Sequence, residues 1–286
     1  MKQNITELIG LPLKHSDTLD YMGTLFLNLI LQSGWMRSYR DRKYKPLSLL
    51  FIGIAGTGKS RLLQTLRPLK FVAYLDDVTP KYLVEFLKKA QKGKKRFLII
   101  PDFLNVTSSH GQKTKGTTIS ILRTMIEDGV TDLSDFGLEF SSKFPVKAGL
   151  ITATTTGSFQ EFMEHWKTTG FLSRLIPFSF THSTATQQQI IRNIENKVPD
   201  TIQDHVYKIE KNPQPVRTSP VLLHQLSIYS QTLGKETRSM PYRASIQLHT
   251  LAEMLAVIDG SYVLAQKHVD KIVELLHYVN YDFNDI

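Results

Sequence analysis

From Leu47 onward, short apolar runs alternate with longer amphipathic stretches. The runs are Leu47–Ile52, Phe71–Leu75, Phe97–Ile100, Ala148–Ala153 and Ile176–Phe180. None of these runs keeps a polar face, so each predicts a strand buried on both sides. The helical stretches between them predict parallel crossovers. The fold class that follows is α/β, with a mostly parallel sheet as the middle of three layers. Leu133–Phe140 and Lys143–Lys147 predict a hairpin ahead of the fourth strand.

On either side of this region the pattern is helical. Asp17 is placed to cap a helix through Tyr21, Leu25, Leu29 and Ile30, and a basic connector, Arg37–Lys45, leads to Pro46. Past Thr184 the strand signal stops. Gln187–Lys211 predicts a helix broken at Pro199, and Asn212–Pro220 a polar turn. Leu248, Leu251, Leu255 and Ile258 share one helical face that ends at Asp259 and Gly260; Val269, Ile272, Val273 and Leu276 form the next stripe. The predicted organisation is an N-terminal helical segment with its connector (1–46), an α/β core (47–184) and an all-helical lid (185–286).

Composition narrows the function classes. The 286 residues include no cysteine, which removes disulfides, thiolate zinc sites and cysteine nucleophiles. No apolar run approaches the roughly 18 to 20 residues of a membrane span, and the N-terminus lacks the apolar core of a secretory signal. The expected location is the cytoplasm. Lys and Arg number 35 against 26 Asp and Glu, a net charge of +9 that attracts polyanions, so DNA is an expected partner. The nine histidines show no ligand cluster, and no recognition helix or zinc-finger spacing is present.

The sharpest chemical signal follows the first strand. Gly53, Gly58, Lys59 and Ser60 fill every fixed position of G-x-x-x-x-G-K-[ST], with a strand before and a helical stretch after. Glycines let the loop curl so that successive N–H groups converge on phosphate oxygens. The expected binding set is Gly53, Ala55, Gly56, Thr57, Gly58, Lys59, Ser60 and Arg61. Lys59 is to reach the β- and γ-phosphates and Ser60 to ligate Mg2+, making ATP and magnesium the expected cofactors. The run Phe97–Ile100 leads to Asp102, a second magnesium ligand in the manner of a Walker B strand.

With these motifs in place, the region from Pro46 to Val279 resembles the AAA+ superfamily of P-loop ATPases, most nearly its minichromosome-maintenance-type helicases and helicase loaders. The resemblance implies roles for further residues. Thr155, with Thr154 beside it, ends the fourth strand where the family carries the residue that orients the attacking water. Ser173 and Arg174 are similar to the Ser-Arg element whose arginine completes a neighbouring subunit's site. Arg243, opening a lid helix, resembles the arginine that folds onto the γ-phosphate. A ring or helical homo-oligomer, hexamer-like, is implied, with another replication or recombination protein as a further partner.

One departure bears on turnover. The family follows its Walker B aspartate with a water-polarising glutamate, and here Phe103 stands in that place. Glu127 and Asp128 lie in the next helical region, but nothing in the sequence selects them. Between Asp102 and that helix, Thr107–Thr117 is polar and basic where AAA+ rings carry a pore loop, so Lys113 and Lys115 are candidate DNA contacts. Lys88–Arg96 is denser in charge yet falls at a helix C-terminus, where lysines suit the dipole. The competing readings are an ATP-gated DNA-bound adaptor with little turnover and, further off, a GTPase or small-molecule kinase. Against a GTPase, Asn196 and Lys197 are followed by an aspartate, Asp200, one residue too late for a guanine-specificity motif.

Overall fold

The computed structural model describes residues 19–37, 46–104, 106, 112–135, 137–198 and 205–279. The proposed cap Asp17, nearly all of the basic connector and part of the proposed pore loop lie outside these residues.

The chain enters through helix α1 (Leu19–Ser33), strand β1 (Leu49–Gly53) and helix α2 (Lys59–Gln64). Strand β2 (Val72–Tyr74), helix α3 (Pro80–Gln91), strand β3 (Phe97–Ile100) and helix α4 (Gln112–Glu127) follow. A hairpin of β4 (Val130–Asp135) and β5 (Leu138–Val146) precedes β6 (Gly149–Thr155), helix α5 (Thr156–Thr168), a 3-10 turn (Leu172–Arg174) and β7 (Ile176–Ser179). Helices α6 (Thr184–Glu195), α7 (Pro220–Glu236), α8 (Pro241–Ile258) and α9 (Gln266–Leu275) complete the described chain, with a 3-10 turn at Leu276–Tyr278.

All five predicted buried runs become strands of one parallel sheet, ordered β2-β3-β6-β1-β7. Every residue of β1, β3 and β7 is buried, as a sheet covered on both faces requires. The chain leaves β1 for the far edge, returns through β3 and β6, then crosses to β7 on the other flank of β1. Such a reversal opens a crevice at the carboxyl ends of the strands. Gly53 and Thr155 are register partners at that edge.

The hairpin differs from expectation. Its turn falls within Leu133–Phe140, because Gly137 takes φ +75°, which costs a glycine nothing, and β5 then runs unbroken through Ser141 and Ser142.

The predicted helix Gln187–Lys211 also ends early, at Glu195, and residues 205–210 carry no helix. That later stretch is held by side chains of the core. The amide of Gln32, fully buried in α1, donates to Glu210 O and accepts from Glu210 N, both at 2.8 Å. The Tyr207 hydroxyl lies 2.5 Å from Thr65 Oγ1, and burial pushes its pKa up to about 12. Buried polar groups have selected a strap here over a helix.

Gly260, at φ +71°, stops α8 where predicted, its N–H bonding to Val257 O at 2.9 Å. The C-terminal helices share their core with the sheet. Tyr278 stacks on Phe178 of β7 at 5.1 Å, and Phe26 of α1 meets the same ring edge-on at 5.0 Å. One connected set of buried apolar side chains runs from Met22 to Val279. Among the described residues no helix is long and apolar enough to cross a membrane.

Candidate phosphate site and arginine cluster

The loop between β1 and α2 has the backbone that its glycines permit. Gly56 and Gly58 adopt φ +83° and +86°, a region that side chains with a Cβ disfavour, and Gly58 immediately precedes the first helical residue. A Cβ on Gly53 would come 3.2 Å from Thr57 Oγ1 and 3.4 Å from Phe180 O. Lys59 is buried, and its Nζ donates to Gly53 O at 2.7 Å and Ile54 O at 2.8 Å, with Thr57 Oγ1 at 3.3 Å. Burial lowers its pKa, and the charge of Asp102 acts in the opposite direction. To engage a phosphate, the ammonium must exchange at least one loop carbonyl for a phosphate oxygen. Ala55 and Ser60 are exposed at the mouth of the loop, and Arg61 is half-buried in the first turn of α2.

Asp102 follows β3, with β6 intervening between its strand and β1. At the usual interstrand spacing the two strand axes lie about 10 Å apart across the sheet. Its Oδ1 accepts the Leu104 N–H at 3.0 Å. Among the described residues no three acidic or histidine side chains cluster as a metal cage. One hydroxyl and one carboxylate instead suit magnesium carried mainly by water and phosphate, which Ser60 and Asp102 would hold.

Phe103 is committed to the core. It is 1% exposed, stacks on Phe171 at 5.4 Å and meets Trp166 edge-on at 5.3 Å, and its N–H donates to Ala153 O at 2.8 Å. Thr155, half-buried, is the N-cap of α5. Its Oγ1 accepts from Ser158 N at 3.3 Å and lies 2.8 Å from Ser158 Oγ. Thr154 is buried.

The two arginines implied by the resemblance lie together, away from this loop. Arg174 lies two residues before Ile176, the first residue of β7 and the register partner of Leu49 at the amino end of β1. The loop begins past Gly53, roughly 13 Å further along the strand at the usual rise per residue. Arg174 donates to Gly170 O and pairs with one oxygen of Glu127; Arg243 pairs with the other oxygen and donates to Ser173 Oγ. The amide of Gln247 adds a bond to Ser173 O at 3.3 Å. The structure therefore sets Arg243 beside Arg174 at the amino edge of the sheet, not over its own phosphate loop. Glu127 is engaged at this same edge, which removes it as a base for its own chain's loop.

Lys113 and Lys115 fall in the first turn of α4, which begins at Gln112, so this half of the expected loop is helical. One neighbour of the phosphate loop was not legible in sequence. His182 Nε2 lies 3.2 Å from Thr57 O. Its signal is topological: residues just beyond β7 must emerge beside the loop because β7 pairs with β1.

No protein-family model matches the chain, and no curated protein matches its sequence.

Proposed function

We propose that this chain is an ATP-binding and ATP-hydrolysing P-loop protein of the AAA+ type. In this reading it assembles head to tail and acts on DNA as a helicase, helicase loader or related remodelling ATPase. The observation that carries the reading is the separation of two half-sites. Lys59, Ser60 and Asp102 occupy the carboxyl edge of the sheet, while Arg174 occupies its amino edge. Within one chain they do not meet. In a head-to-tail assembly the amino edge of one copy faces the carboxyl edge of the next, which makes a ring or helical filament the natural form. MgATP, when bound, supplies the phosphoryl group and the charge to be neutralised. Lys59 and the loop N–H groups neutralise it from one copy and Arg174 from the neighbour, a contribution worth about 10³ to 10⁵ in rate in related chemistry. The partner assignment to DNA rests on the net charge of +9.

A second reading, an ATP-gated adaptor on DNA with little turnover, is favoured by Phe103, because the position that follows Asp102 faces the core and not the crevice.

Steady-state ATPase activity with and without single- and double-stranded DNA, alongside mass in ATP, separates the two. DNA-stimulated turnover in a multi-subunit particle is the result expected of a remodeller; assembly with negligible turnover is that of the adaptor. Lys59→Ala is expected to remove ATP binding, and retained tight binding overturns the phosphate-site assignment.

A further inference from the structure

Glu127 closes α4 and Arg243 lies in the first turn of α8. A carboxylate at a helix C-terminus and a cation at a helix N-terminus both oppose the helix dipole. Neither residue is therefore placed for the benefit of its own helix. What they share is Arg174, and one carboxylate holds both guanidiniums, one on each oxygen. The cluster is mostly enclosed, with side-chain exposures of 17% for Arg174, 23% for Glu127 and 31% for Arg243. It is also unbalanced. Arg243 and Arg123 both act on Arg174 against the single carboxylate, and burial with these neighbours lowers the Arg174 guanidinium from its ordinary value. The Arg174 Nε is buried without an acceptor among the described residues. Enclosed guanidiniums in excess over carboxylate favour a planar or tetrahedral oxyanion.

We propose that Glu127 is an internal counter-anion that holds Arg174 and Arg243 as a paired fork at the junction of core and lid, and that the terminal phosphate of a nucleotide bound by a neighbouring copy competes with its carboxylate for that fork. This rests on the reading that Arg174 acts in trans. Glu127 belongs to α4, so exchanging its carboxylate for phosphate releases the fork, and with it the first turn of α8, from α4 and ties both to the neighbour's nucleotide. Occupancy of the neighbour's site is thereby reported to the lid. Glu127 is a positioning and gating residue, not a catalytic one.

The test titrates ATP and magnesium into the full-length protein, reading assembly mass and turnover for wild type, Glu127→Gln and Glu127→Asp. Removing the competing charge is expected to lower the nucleotide concentration for half-assembly by about fivefold or more, the lower end of typical coupling between sites. Glu127→Gln is also expected to melt earlier than wild type without nucleotide. Glu127→Asp keeps the charge and is expected to stay near the wild-type requirement. An unchanged or raised requirement in Glu127→Gln overturns the proposal and leaves Glu127 a plain strut. So does an Asp variant that falls as far as Gln. A mixture of Arg174→Ala and Lys59→Ala proteins tests the underlying reading separately. Partial recovery of turnover is expected, and no recovery removes the trans role of Arg174 and this proposal with it, whatever the Glu127 variants do.

Discussion

At the scale of single residues, Phe103 has the widest consequence. Restoring a glutamate after Asp102 looks like a simple way to install a general base. The side chain, however, lies among Phe171, Trp166 and the strand residues behind them. Phe103→Glu is expected to lower stability by about 3 kcal/mol or more, from the missing aromatic packing and a carboxylate left without a partner. Thermal melting together with ATPase rates checks this; a faster enzyme with an unchanged melting temperature would show that the crevice admits the new side chain. Lys59 was readable because its motif is local: glycine spacing, a lysine and a flanking helix are all contiguous in sequence. Thr155 marks the limit of such reading. Its hydroxyl caps α5, a role that any strand-to-helix junction can ask of a threonine.

At the scale of elements, the five strands were legible because a strand buried on both faces must be apolar at every position, whatever its neighbours. Their pairing was not, because the order β2-β3-β6-β1-β7 depends on how crossovers pack. That order sets β6 between the strand that leads to Asp102 and the strand that leads to the phosphate loop, and its first residue shows how tightly the three are packed. A Cβ on Gly149 would lie 2.5 Å from Leu47 O and 2.5 Å from Phe97 Cε1. Gly149→Ala is expected to destabilise the protein by about 1 to 3 kcal/mol, with the ATP affinity of the folded fraction little changed. Denaturant titration and equilibrium nucleotide binding measure the two separately. A substitution that leaves stability unchanged means that the Phe97 ring and the backbone at Leu47 yield freely. The hairpin illustrates the opposite case. The predicted strand Leu133–Phe140 ran through Gly137, and only a residue free to take positive φ allowed the turn there.

At the scale of the whole molecule, the charge of +9 is distributed less freely than the sequence suggests. Lys95 donates to Lys70 O at 2.9 Å and to Val72 O at 2.5 Å, and Arg96 donates to Gly34 O at 2.8 Å over the Trp35 ring. These two basic residues fasten the sheet edge to the chain around it. Lys113 and Lys115 remain as DNA candidates on an element whose dipole gives no reason for cations in its first turn. Charge reversal at both is expected to weaken DNA binding. The slope of log affinity against log salt should become shallower by about 1 to 2, since each phosphate that a lysine neutralises contributes about 0.9 to it. Binding measured at several salt concentrations decides this, and an unchanged slope removes α4 from the DNA surface.

By itself the sequence determined what is local. It set the buried strands through uninterrupted apolar runs, the turn between β1 and α2 through the glycines Gly56 and Gly58, and the stop of α8 through Gly260. Tertiary structure alone decided what brings distant segments together. It placed Glu127, Arg174 and Arg243 in one cluster, tied Glu210 and Tyr207 to Gln32 and Thr65, and turned Phe103 into the core. The reason is that a charge or an aromatic ring carries no address in the chain. Its partner is chosen by desolvation and packing, which exist only once the layers close.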